Sequence, residues 1–137
     1  MAHWLVKSEP EVWSYDQHAK KGVEAWTGVR NYQAANNLKA MKKGERAFFY
    51  HSGDEKQIVG IVEVTKEYYP DHTDESGRFG MVDFKAVKAV KTPVSLKQVK
   101  ADPKLAKLQL VTNSRLSVQS VDDKSWELIC KIAGIEA

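Results

Sequence analysis

Trp26-Thr27-Gly28-Val29-Arg30-Asn31-Tyr32-Gln33-Ala34 opens the stretch that decides the fold, and Phe48-Phe49-Tyr50-His51-Ser52 closes it. Between them the pattern changes period. Asn31 is a good N-cap, and Tyr32, Ala35 and Leu38 then share one face, which predicts a helix over about 32–41 with Gly44 as its stop. Glu45 to His51 reads as a strand, Ser52 to Lys56 as a turn, and Gln57 to Tyr68 as a long strand, so the two strands form a hairpin. Gly60 inside the second strand marks a bulge or a close approach. Aromatic residues here stand beside Arg30, Asn31, His51 and Ser52, polar groups able to meet the edge of a planar ligand. Gly28 lets the backbone approach something closely. The stretch reads as the wall of a pocket for a planar, polar-edged ligand such as a nucleobase.

Upstream, His3 to Lys7 is a short strand with Trp4 and Val6 on one face and Leu5 on the other, buried on both sides. Ser8-Glu9-Pro10 ends it, because proline lacks the N–H that the ladder needs. Ser14 caps a helix through Lys20, Gly22 breaks it, and Val23 to Trp26 forms a second strand. Downstream, Tyr68-Tyr69-Pro70-Asp71 ends the long strand. Residues 71–80 form a polar loop, and Met81 to Val90 alternates as an antiparallel strand does. Ser95 caps a short helix, and Asp102-Pro103 starts another. Leu108–Val111 and Leu116–Val121 read as extended. Asp122 or Asp123 caps a last helix through Ile132, with Trp126, Ile129 and Cys130 on its apolar face. About six short strands with helices between them imply an α+β fold built on one curved, mixed sheet or small open barrel.

The composition narrows the function. At 137 residues the length suits one domain, residues 1–137. No apolar run approaches the roughly 18 residues of a membrane span, so no membrane partner is expected. The N-terminus lacks the pattern of a signal peptide, and one cysteine, Cys130, suits a reducing cytoplasm as a buried thiol. A net charge of +3 and a pI near 8.9 are mildly basic. The charge is uneven: seven lysines against the single acid Asp102 between Lys85 and Lys107, and a further cluster of Lys39, Lys42, Lys43 and Arg46. That asymmetry favours a nucleic-acid partner.

The familiar catalytic signatures are absent. There is no phosphate-binding glycine loop, no zinc spacing among four histidines and one cysteine, and no nucleophile elbow. No cofactor or metal is expected. Asp71-His72 reads as a solvated pair at a loop tip. His51 and Ser52 are strand neighbours that point to opposite faces, which disfavours a base–nucleophile dyad.

Taken together, Trp4-Leu5-Val6-Lys7-Ser8-Glu9-Pro10, Gly28-Val29-Arg30-Asn31-Tyr32-Gln33-Ala34, Phe48-Phe49-Tyr50-His51-Ser52, Tyr69-Pro70-Asp71 and Arg115-Leu116-Ser117-Val118 resemble the EVE domain family. The resemblance implies a PUA-like pseudobarrel, similar to the domains that read methylated adenine in RNA. It also implies a non-catalytic module recognising a modified base, 5-methylcytosine or a derivative, flipped out of nucleic acid. DNA is the first choice of partner. A reader of modified RNA and, last, a hydrolase of nucleoside derivatives are the alternatives. Carried over by position, the base-binding residues are Lys7, Ser8, Trp26, Arg30, Asn31, Tyr32, Tyr50 and Ser52, with Arg115 and Ser117 near the rim. Ala35 stands where that family often carries arginine, which removes one phosphate contact.

Overall fold

Strand β1 (His3–Ser8) lies one strand in from an edge of the single six-stranded sheet in the computed structural model, which describes residues 1–136. The other strands are β2 (Val23–Ala25), β3 (Arg46–His51), β4 (Gln57–Pro70), β5 (Gly80–Ser95) and β6 (Val118–Val121), in the order β2-β5-β4-β3-β1-β6. β1 runs parallel to β3, Trp4 opposite Ala47 and Ser8 opposite His51, and antiparallel to β6. The rest of the sheet is antiparallel, so it is mixed, and it remains open, with β2 and β6 at its two edges.

Alternation along the strands splits the core across the sheet. Trp4, Val6 and Phe49 bury on one face with Tyr15, Trp26, Leu38, Val62 and Phe84. Leu5, Phe48 and Tyr50 bury on the other with Ile58, Ile61, Val94, Trp126 and Ile129. Trp126 is stacked between His3 and Phe48, at ring separations of 4.3 and 3.9 Å. Trp4 donates its indole N–H to the buried Glu45. Cys130 is a buried thiol.

The helices follow their caps. Ser14 and Gln17 form a capping box at α1 (Tyr15–Lys21), and Asn31 accepts from Ala34 N at the start of α2 (Tyr32–Ala40). Ser95 caps α3 (Leu96–Ala101), and Asp122 caps α5 (Asp123–Ala133). Gly60 lies at a register shift between β3 and β4 with the Tyr15 ring packed against it; a Cβ there would fall 2.3 Å from Tyr15 Cε1.

Several expectations need correction. Leu108–Val111 is not extended: Gln109–Thr112 forms a helical turn, α4, and Leu105, Leu108 and Leu110 bury into the second face of the core. A short apolar run cannot separate the two states by periodicity alone. Asp102-Pro103 starts only a single 3₁₀ turn, Pro103–Leu105. Helix α2 stops at Ala40, with Met41 as its cap, and Gly44 belongs to the following turn.

Candidate functional site

The parallel pairing of β1 with β3 ends both strands at one edge of the molecule. Ser52 N donates to Ser8 O at 3.0 Å, and Lys7 N donates to Ser117 O at 3.0 Å. The chain then turns through Glu9–Ser14, where the Ser8 hydroxyl donates to Trp13 O at 2.5 Å. This turn faces the segment that leaves β2. Between them opens a cleft of about 370 Å³, lined by Lys7, Ser8, Val12, Trp13, Ser117 and residues 24–29. That volume lies in the range of small-ligand sites.

Trp26 forms part of the cleft wall and is 8% exposed. It packs edge-on against Phe49 and Phe84 at 88° and 85°, with centroids 5.4 and 5.6 Å away. Such contacts fix the indole plane. The indole thus belongs to the core and the cleft at once. Trp13, half-buried, donates its N–H to Nδ1 of the fully buried His18 at 3.0 Å, and His18 Nε2 donates to Phe84 O at 2.8 Å. These two bonds identify His18 as neutral and protonated at Nε2. Burial pushes its pKa down, which keeps it so.

Asp71 braces the turn that follows Trp26. Its buried carboxylate accepts from Gly28 N at 2.9 Å, Arg30 Nη1 at 3.0 Å, Thr73 N at 2.8 Å and Thr73 Oγ1 at 2.6 Å. Burial works to raise its pKa, but these donors outweigh burial and hold it at about 2. Asp71 is therefore not a solvated loop-tip residue; it pins the 28–30 turn in place. Gly28 adopts φ 85°, which a side chain would strain.

Lys7 is half-buried, and its Nζ donates to Ser114 O at 2.5 Å. Burial lowers its pKa. Glu24 is the one carboxylate lining the cleft. The Lys21 ammonium, 2.8 Å from Oε2, holds it below the usual range against the effect of burial, and Oε1 accepts from Ala25 N.

Of the residues expected at the site, Lys7, Ser8, Trp26 and Ser117 meet in this cleft. Tyr50, Ser52 and Arg115 line a second cleft of about 480 Å³ on the other side of Lys7. Arg30, Asn31 and Tyr32 line neither. Arg30 is tied to Asp71 and Thr73, Asn31 spends its side-chain oxygen on the helix cap, and Tyr32, 62% exposed, packs against Phe79. Ser8 can accept a hydrogen bond from a ligand, but its own proton is committed. His51 accepts from Tyr15 N at Nε2 and bonds Glu55 at Nδ1, so neither nitrogen is available as a base toward Ser52. Trp13 and Glu24 are the cleft residues that sequence reading missed. Val12-Trp13, an apolar pair in the short turn between the proline stop and the Ser14 cap, is the available signal for the first.

Comparison with known proteins gives the arrangement its context. The family model described as the EVE domain matches residues 2–132. Thymocyte nuclear protein 1 of Homo sapiens is 33% identical over 96% of this chain and 73% of its own length. Among solved structures, the NMR structure of a Rhodopseudomonas palustris protein is 57% identical, with a TM-score of 0.93 over 98% of this chain and 94% of that one. The crystal structure of human THYN1 protein in complex with 5-methylcytosine-containing DNA is 33% identical, with a TM-score of 0.92 over the whole of both chains. The α+β, PUA-like architecture expected from the sequence is the one observed. This chain belongs to the EVE domain family.

Proposed function

We propose that this EVE domain is a non-catalytic module that takes one modified base of DNA, of the 5-methylcytosine class, into the cleft between Ser8, Trp13 and Trp26. The observation that carries this reading is the full-length similarity to the human THYN1 protein solved with 5-methylcytosine-containing DNA, together with a base-sized cleft in this chain. Indole walls suit the π faces of an unstacked base, and stacking contributes roughly 1–3 kcal/mol per base. Extrusion of the base costs a few kcal/mol, which contacts to the strand must offset. Glu24, which lines the cleft, has lone pairs left beyond those taken by Lys21 and Ala25 with which to accept from the exocyclic amine of a cytosine-type edge, while Lys7 and the hydroxyls of Thr27 and Ser117 can donate to its acceptors. A buried methyl adds only about 0.8 kcal/mol, roughly fourfold. Sharper preference for the modified base therefore requires that the cleft fit poorly without it.

The reading has no catalytic step. The His18 and His51 imidazoles are committed to structural hydrogen bonds, and no cluster of metal-ligating side chains is present among the described residues. The module acts wherever its nucleic acid lies. The name of the vertebrate relatives refers those proteins to the nucleus, which favours a DNA-associated location over the bulk cytoplasm expected from the cysteine usage.

Fluorescence anisotropy with short labelled strands tests the reading, in DNA and RNA versions with and without one 5-methylcytosine. Trp26→Ala is uninformative, because it empties the space between Phe49 and Phe84 and costs the fold about 3–5 kcal/mol. Trp26→Phe keeps an aromatic core and shortens the cleft wall; it should weaken binding of the modified strand about fivefold or more. Glu24→Ala should reduce preference for cytosine-type over thymine-type bases by ~1 kcal/mol or more. Equal binding of modified and unmodified strands by the unaltered protein overturns the proposal, and tighter binding of the RNA strand reassigns the partner.

A further inference from the structure

Two clefts meet at the Ser52–Gly53 turn, and their charges are opposite. One is lined by Glu9, Glu11, Asp54 and Glu55, with Pro10 and the turn itself, and holds no cation. The other, of about 480 Å³, is lined by Lys7, Lys56, Lys100 and Arg115 over a floor that includes Tyr50, Leu96 and Leu110, and holds no carboxylate. Among the described residues, none of these four cations is within salt-bridge distance of an acid. Lys56, Lys100 and Arg115 are exposed, whereas Lys7 is half-buried and shared with the base cleft. Lys7 Nζ has the Ser114 carbonyl as its partner but no carboxylate among the described residues, so its charge is left uncompensated for an anion to meet. The Lys7 pKa, lowered by burial, agrees with that deficit.

We infer that the cleft of Lys7, Lys56, Lys100 and Arg115 is a phosphate track, and that the strand carrying the read base leaves the base cleft past Lys7 along it. The inference rests on the function proposed above and names the path of the strand. Three observations set the direction. Lys7 is the one side chain common to both clefts. The acidic cleft on the other side of Ser52–Gly53 repels a polyanion, so it closes the alternative exit. Arg30 and Lys21, the other cations near the base cleft, are paired with Asp71 and Glu24 and have little charge to offer a phosphate. The lysine-rich stretch from Lys85 to Lys107 contributes Lys100 to the same groove. Tyr50, buried beneath the track with Lys7 Nζ 5.7 Å from its ring centre, serves as floor and not as a stacking platform.

Counterion release gives a direct readout. Each phosphate neutralised contributes about 0.7 to the slope of log Kobs against log[salt] for a single strand and about 0.9 for a duplex. Binding of a labelled strand carrying one 5-methylcytosine is measured by anisotropy across a series of NaCl concentrations. The double variant Lys56→Gln/Lys100→Gln should reduce the magnitude of that slope by about 1.4–1.8. Its affinity for free 5-methyl-2′-deoxycytidine, which has no phosphate, should match the unaltered protein's. A control pair of equal size, Glu9→Gln/Glu11→Gln on the acidic cleft, should leave the slope unchanged. An unchanged slope in the lysine variant, or an equal change in the glutamate control, overturns the assignment. The slope can be measured equally on an unmodified strand, so it tests the track even where modified and unmodified bases bind alike and the base reading itself fails.

Discussion

Trp13 and His18 are locked to one another: the indole N–H donates to Nδ1 of an imidazole that is wholly buried and neutral. The cleft wall therefore depends on a protonation state. A proton on Nδ1 abolishes the acceptor that Trp13 uses. The groups facing His18 are the Phe84 carbonyl, which favours the charged ring, and Glu24 and Lys21, whose charges oppose each other.

The pH dependence follows from that bond. The pKa of His18 lies lower in the folded chain than its ordinary value of 6.5. The unfolded chain thus takes up a proton first, so this contribution to stability is complete above pH 6.5 and is lost as the pH falls from there toward the depressed folded value. The slope contributed is at most about 1.4 kcal/mol per pH unit, one proton's worth. Urea titrations at stepped pH should show it in the unaltered protein and not in His18→Gln. Binding of the modified strand should hold through that interval and weaken only as the pH reaches the depressed folded value, where the native ring itself takes a proton and releases Trp13.

Asp71 works in the opposite direction and at lower pH. Its pKa of about 2 stands below the ordinary 3.8, so the stability it gives is present above pH 3.8 and disappears as the pH falls toward 2. Asp71→Asn presents amide protons to donors that need an acceptor. It should cost about 2–3 kcal/mol and flatten the acid limb of the stability curve. Loosening of the Gly28–Arg30 turn should also weaken base binding, which anisotropy would detect at neutral pH under conditions where the variant remains folded.

Gly60→Ala tests the close approach of α1 to the sheet. The new methyl would fall 2.3 Å from the ring of Tyr15, which is itself buried against Phe49 and bonded to Ile61 O. Overpacking of this kind costs about 1–3 kcal/mol. Tyr15→Ala is costly by itself, but in its background Gly60→Ala should cost far less, and a double-mutant cycle from chemical denaturation would show the two changes to be strongly coupled.

Cys130 should be inert in the native state. The thiol lies on the buried face of α5, and burial pushes its pKa up to about 11. A thiol-exchange reagent at pH 8 should react only as fast as the chain unfolds, and guanidinium should release the full colour yield. Fast reaction without denaturant would contradict this burial.

The sequence and the fold agree where local periodicity and local chemistry suffice. Alternation in β1 assigns Trp4 and Val6 to one side of the sheet and Leu5 to the other, and both sides prove to be core. Asn31, Ser14 and Ser95 are found at the helix starts their side chains suit. Gly60 marks a close approach because no other residue fits there. The site was less legible. Asp71 reaches back 43 residues to Gly28, and no pattern in a loop announces such a contact. Asn31 and Tyr32 sit next to Gly28 in sequence, yet the cap and the exposed face of α2 direct them elsewhere. Trp13 lies in a turn without periodicity, and its role depends on His18, Phe84 and the cleft that only the folded chain assembles.

The position of β1 carries a consequence for how the molecule is made. β1 pairs with β3 on one side and, at His3 opposite Val121, with β6 on the other. During synthesis β1 waits as an unsatisfied edge until β6, far downstream in this domain, has been made. Contacts of such long sequence separation slow folding. Nascent chains halted before Val118 should retain an exposed, sticky β1, and chaperone capture and protease sensitivity should persist until β6 emerges.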